Sequence, residues 1–401
     1  MKKFSIFLFL FALGEINVHG ATHNVPPGHS IQAAINGAST GDNLIIWQGV
    51  YDEDLVISGK ALTLRPLNDG EVQVRSVTAN NAGGIVRLSN LRVMTDVNAT
   101  KSSLHLFKCY ILGDVTVADA VDDANNDLQS VILQTTIREH LTCRAKRSWI
   151  CYNTIRNSYL EGDTEVTGNE FHGRGGGGIG IDVNGTATHA LIRNNQIHQH
   201  GLGAGGTTVT EECIGIRVNG GAKADIINNV IYECYLHQRN GSDSGMGIFV
   251  KSTTGTTIMG NALWKCYVNG QSGNSGDVCV SAPFANVILK YNLMGTSTFS
   301  AGIVRGGVIN YESLTLPHNA AAFDNNGQPT ANYVGSNAGP PDARYNDHDG
   351  TRNDIGLHGG HGYLPDGRTT DKPIPIQLST TPAFVPIGGT VTIESTGATV
   401  K

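Results

Sequence analysis

Asp182, Arg217 and Phe249 occupy one matched position in three near-identical segments, and Lys251 follows two residues after the last. A carboxylate, a guanidinium and an amine so placed have the chemistry to meet an acidic sugar. Arg217 and Lys251 would face its carboxylate, which Asp182 would share through Ca²⁺. A Lys or Arg of lowered pKa would then take the C5 proton that the ion acidifies, as in a polysaccharide lyase. These three are the candidate catalytic residues. Asn184, Asn219, Lys251 and Ser281 form the neighbouring column. With Phe249, and with Tyr232 and Trp264 as stacking faces, Asn184 and Asn219 are the candidate substrate contacts. The plainer account of Asp182 and Arg217 is an ion pair contributing well under ~1 kcal/mol.

Two other groups have metal-binding types. His198-Gln-His200 would put both rings on one side of a strand, but no third ligand is identifiable and ordinary packing is the simpler reading. Asp347, Asp349 and Asn353 have the look of an Asp-x-Asp-Gly calcium loop. The acidic residue expected at its twelfth position is missing, since position 358 is His. Gly173 to Gly180 is not a dinucleotide loop, because no βαβ unit surrounds it.

The elements that must position these residues are repeats. Gly178-Ile-Gly-Ile-Asp-Val-Asn184 returns as Cys213-Ile-Gly-Ile-Arg-Val-Asn219, as Gly245-Met-Gly-Ile-Phe-Val-Lys251, and weakly as Gly276-Asp-Val-Cys-Val-Ser281. Central residues at 182, 217, 249 and 279 give steps of 35, 32 and 30 residues. Apolar residues alternate within each copy, the period of a strand. Six asparagines (Asn153, Asn169, Asn195, Asn229, Asn261, Asn292) recur just before large apolar residues, where stacked amides would bond coil to coil. Short strands, Gly/Asn turns and a unit too small to bury its own face describe a right-handed parallel β-helix. Its coils would stack ~4.8 Å apart.

Gly at 51 of 401 residues and aromatics at 6% fit tight turns around a slim core. A net charge of −6 without basic runs makes a poor nucleic-acid binder. Residues 1–20 read as a secretory signal: Lys2-Lys3, an apolar run from Phe4 to Leu13, then Val18-His-Gly20. No other segment is apolar enough to span a membrane, so a secreted or cell-surface protein is expected. Of seven cysteines, Cys234 and Cys266 fall in matching columns and are expected to stack as small apolar residues rather than bond.

Ser30 before Ile31-Gln-Ala-Ala-Ile35 predicts a short amphipathic helix plugging the first coil of a 21–318 β-helix. Gly49-Val-Tyr51-Asp-Glu53 follows an apolar strand and precedes two short ones. This opening, over roughly residues 25 to 70, resembles that of secreted pectin-lyase-like β-helix proteins, including pectinesterases; residues 85 to 310 resemble their generic repeats. Asn346-Asp-His-Asp-Gly-Thr-Arg-Asn-Asp-Ile-Gly356 is similar to a C-terminal segment of many secreted bacterial right-handed β-helix repeat proteins, so 319–372 is expected to close the structure. Residues 373–401 alternate as strands and resemble the start of an immunoglobulin-like module. The resemblance implies the fold, while the pectinesterase Gln-Asp-Thr and Asp-Phe-Ile-Phe-Gly elements are absent. Gly360-His-Gly362 matches one polygalacturonase element without its partners. The expectation is therefore an exported protein engaging polysaccharide along one sheet face, with Ca²⁺-assisted lyase chemistry as its catalytic form. The alternative is a non-catalytic cell-surface or adhesion scaffold.

Overall fold

The computed structural model describes residues 20–118, 130–173, 178–186, 188–201, 212–235, 245–252, 254–266, 276–280, 287–295, 308–311, 314–316, 330, 333–372, 374–381 and 392–398. The expected signal segment up to His19, the Asp119 to Asp127 cluster, Ser281, Phe384 and most of the insertions after His200, Tyr235 and Cys266 lie outside the described residues.

The chain winds as a parallel β-helix with three strands per coil. The first face is a 13-stranded parallel sheet running from Thr22–Val25 to Val308–Tyr311. In a representative coil, His189–Arg193 lies on this face, Gln196–His198 on the second, and Cys213–Val218 on the third. Each pairs in register with its counterpart one coil on: Ile192 with Ile226, Ile197 with Ile231, Ile216 with Ile248. Two long strands, Thr136–Cys143 and Thr154–Leu160, pass through the corner between the second and third faces and take part in both ladders. Parallel crossovers of this kind are right-handed in about 98% of cases.

Alternation turns every second side chain inward, so the core is a column of Ile, Val and Leu, with Phe171 its largest fully buried member. Among the described residues, six cysteines, including Cys234 and Cys266, are buried. Near the N-terminal end, Ile31–Gly37 forms a helix with Ile31 and Ile35 in the core. Ser30 Oγ accepts from Ala33 N, and the Glu53 carboxylate accepts from Ile31 N and Gln32 N, each at 2.9 Å. The Gly-x-Tyr-x-Glu turn thus holds the helix N-terminus, where a negative charge is favoured.

One corner organises the coil. Between the first and second faces a left-handed residue (Gln134, Tyr152, Gly168, Asn194, Asn228, Gly260 or Tyr291) makes the bend. From Tyr152 onward, an inward-facing asparagine follows it. Asn195 Oδ1 accepts from Asn169 N and Nδ2, Asn229 Oδ1 from Asn195, Asn261 Oδ1 from Asn229, and Asn292 Oδ1 from Asn261. All bonds are between 2.9 and 3.0 Å and the amides are buried. A buried amide left unbonded is costly, so the stack fixes the register of coil on coil.

Residues 333–372 return as a strap along this same corner, from the later coils to the earlier. Gly356 N donates to Gly260 O, Asn228 Nδ2 to Asp354 O, Asn194 Nδ2 to Leu357 O and Gly359 O, and Gln134 Nε2 to Gly367 O and Thr370 O. Ile374 then packs on Trp149 and Val131, and Ile374–Thr381 pairs antiparallel with Thr392–Ala398.

Candidate functional site

On the third face, Asp182, Arg217 and Phe249 do stand side by side on successive coils. They are not a bare strip. Arg217 Nε and Nη2 bond both oxygens of Asp182 at 2.9 and 2.6 Å, and Nη1 bonds Glu212. Asp182 is 7% exposed. The hydrogen bond to Asp182, opposed by burial and reinforced by the charges of Asp182 and Glu212, raises the Arg217 pKa. The guanidinium is thus held charged, the reverse of what a proton-abstracting base requires. Lys251 keeps 38% of its side chain exposed, 3.7 Å from Glu212, with Nζ 4.8 Å from the Phe249 ring centre. Phe249 is 4% exposed, packed on Ile214 and Met246. Asn184 turns its carbonyl to Gly185 N, and Asn219 is half-buried beside it.

Tyr232 and Trp264 fall on the second face, where their outward rings continue a column: His172, His198, Tyr232 and Trp264 stack at 4.6, 4.9 and 4.5 Å. Their faces are taken by one another and their edges by the strap, through Ile355, Leu357 and Tyr333. At 4% and 8% exposure they are packing residues, with no face open to a sugar. The sequence signal was sound as to column; the covering strap, some seventy residues downstream, was not readable from it.

The Asp347 loop closes on itself. Asp347 accepts from Asp354 N and Gly360 N, and burial raises its pKa against those bonds. Asp349 accepts from Thr351 N and Oγ1, which lower its pKa. Asn353 is buried, bonded to Asn228 and Tyr345 O. Each of the three is thus already engaged by protein partners, Asn353 at the corner and the two aspartates by backbone amides.

His198 and His200 also part company. His200 is fully buried between glycines, its pKa pushed down to about 3 by burial. His198 points outward to Glu170 Oε1 at 3.1 Å, on the coil before.

A feature absent from the sequence reading lies on the second face of the early coils, beyond the strap's end. A groove of about 850 Å³ is lined by Asp69, Glu71, Asn90, Arg92, Lys108 and Tyr110, with Asp371 at its rim. Arg92 and Tyr110 are register partners, and the guanidinium sits 5.2 Å from the ring centre. Arg92 lies 3.7 Å from the exposed Glu71 carboxylate, and Lys108 pairs with Asp371. The matched outward positions of Gln73, Arg92 and Tyr110 were the available signal, in coils whose repeats are weak.

No family model matches this sequence, and no curated protein does. Among solved structures, the chain is similar to pectate lyase Pel9A, with 14% identity over 84% of this chain and 96% of that one, at a TM-score of 0.43. The parallel β-helix itself is established by the three ladders of strand pairings. Among the described residues, no helix is long and apolar enough to cross a membrane.

Proposed function

We propose that this is an exported β-helix protein that engages polysaccharide along one sheet face, and that the face is the second one, at the Arg92–Tyr110 groove. The open groove carries the reading. Its size is that of ordinary ligand sites. Its carboxylates, amides and guanidinium offer both acceptors and donors, which sugar hydroxyls need. The ion pairs beside it have exposed carboxylates and half-buried cations and contribute ~0–1 kcal/mol each, so a ligand can exchange for them at little cost.

Binding is favoured over cleavage. Ca²⁺-assisted elimination at Asp182, Arg217 and Lys251 would need a base of lowered pKa, and Arg217 moves the other way. On this reading the Ile31–Gly37 helix seals one end of a 21–318 solenoid and 319–372 closes its side. Residues 373–401 add a short β appendage, or the start of an immunoglobulin-like module.

Electrophoresis through gels cast with pectate, alginate, a glycosaminoglycan or a neutral glucan tests the proposal. Absorbance of the unsaturated product is followed in parallel, with and without chelator. At least one polymer should retard the wild type and not Arg92→Ala, with no absorbance rise. Retardation lost in Lys251→Ala but kept in Arg92→Ala would return the site to the third face. No retardation by any polymer would leave the adhesion-scaffold reading.

A further inference from the structure

We propose that Glu170, His172 and His198 bind a divalent transition metal of the Zn²⁺ class on the second face. One ligand atom from each lies within 4.8 Å of the others, and among the described residues this is the one such grouping of His, Cys, Asp and Glu. Glu170 and His172 are alternate residues of one strand, and His198 is the register partner of His172 on the next coil. Of His198-Gln-His200 only His198 takes part, His200 being turned inward, and the fold supplies the other two ligands from the preceding coil.

Part of a metal site's outer arrangement is already in place. Glu170 Oε2 takes a hydrogen bond from Arg368 of the strap at 2.7 Å, leaving Oε1 for the interior of the cluster. A charged neighbour that orients a ligating carboxylate is the usual outer shell of such sites. His198 is 5% exposed and turns its Nε2 to the cluster, 3.1 Å from Glu170 Oε1. Two imidazoles and one carboxylate suit Zn²⁺, Co²⁺, Ni²⁺ or Cu²⁺; Ca²⁺ and Mg²⁺ prefer all-oxygen sets.

One adjustment is required. The two rings stack with centres 4.6 Å apart and planes at 17°, so an ion in the plane of one lies off the plane of the other. His172 is the ring that can turn: it is half-buried, and its Nε2 is held by the Gln199 side chain at 2.7 Å. Its outer position leaves the fourth coordination site to water. Both imidazoles must be neutral to ligate, so uptake should fall as pH drops.

The test uses the untagged full-length chain, stripped with chelator and titrated with ZnCl₂, with bound metal counted by atomic emission. CoCl₂ provides an independent visible spectrum. The wild type should hold about one equivalent and show an intense tetrahedral Co²⁺ band. His198→Ala and His172→Asn should each weaken retention at least tenfold, and zinc should raise the Tm of the wild type alone. His172→Asn, at the more exposed ring, keeps the test valid if His198→Ala fails to fold. Equal retention by wild type and His172→Asn, or none by either, overturns the proposal.

Discussion

Replacing Asn229 with alanine should destabilise the protein far more than the loss of one side chain of its size on the surface. The side chain is buried, and it serves three coils at once. Its Oδ1 is the acceptor for Asn195 N at 3.0 Å and Asn195 Nδ2 at 2.9 Å; its Nδ2 donates to Ile192 O and Asn261 Oδ1, both at 2.9 Å. Asn261 Oδ1 keeps a second donor in Asn229 N, and Asn195 Nδ2 keeps Val166 O. The uncompensated losses are therefore the Asn195 N–H and the bond to Ile192 O. At ~1–3 kcal/mol for each buried polar group left unbonded, the expected cost for the two is about 2–6 kcal/mol. Asn36, on the exposed face of the helix, should cost within ~0.5 kcal/mol when changed to alanine. Urea denaturation reads both as shifts in midpoint at unchanged slope. Asn229→Ala and Asn261→Ala should also combine non-additively, because they share a bond. If Asn229→Ala costs no more than Asn36→Ala, the stacked amides do not set the register.

Three further outcomes follow from the geometry. Burial holds the His200 pKa at about 3, against an ordinary 6.5, so its neutral form stabilises the fold above pH 6.5 and that stability is lost as pH falls toward 3. The loss by pH 5 should be about 2 kcal/mol, absent in His200→Leu; parallel pH profiles for the two would refute the assignment. Burial raises the Glu53 pKa, but the bonds from Gln32 N, Ser30 and Ile31 N outweigh it and lower it overall. Its contribution is present above the ordinary carboxylate range and fades as pH drops through the lowered value. Glu53→Gln should cost ~1 kcal/mol at pH 7, less at pH 3, by thermal melts. Because the Asp347 loop is closed by its own backbone amides, chelation of calcium should leave the Tm unchanged, and a fall of several degrees would restore a calcium site there.

The coil was legible because its signals are local and repeated. Alternating Ile and Val, the matched strands around 182, 217 and 249, and the asparagine before each second-face strand specify stacking without any long-range information. The helix start at Ser30 was equally local. The site was less legible for a physical reason: outward columns are read correctly from register, but their exposure is decided by what else packs on them. Trp264 and Tyr232 belong to the expected column and are covered by residues 333–363. Asp182 and Arg217 stand as neighbours, yet Glu212, at the end of an insertion, takes a further nitrogen of the guanidinium. Arg92 and Tyr110 line a groove that the strap's Asp371 borders without covering.

The most direct measurement is a calorimetric titration of the full-length chain and its Arg92→Ala variant with oligomers of whichever polysaccharide retards the wild type. The groove account predicts at least tenfold weaker binding by Arg92→Ala at unchanged Tm, with Lys251→Ala binding as the wild type does. Equal affinity for wild type and Arg92→Ala would contradict it.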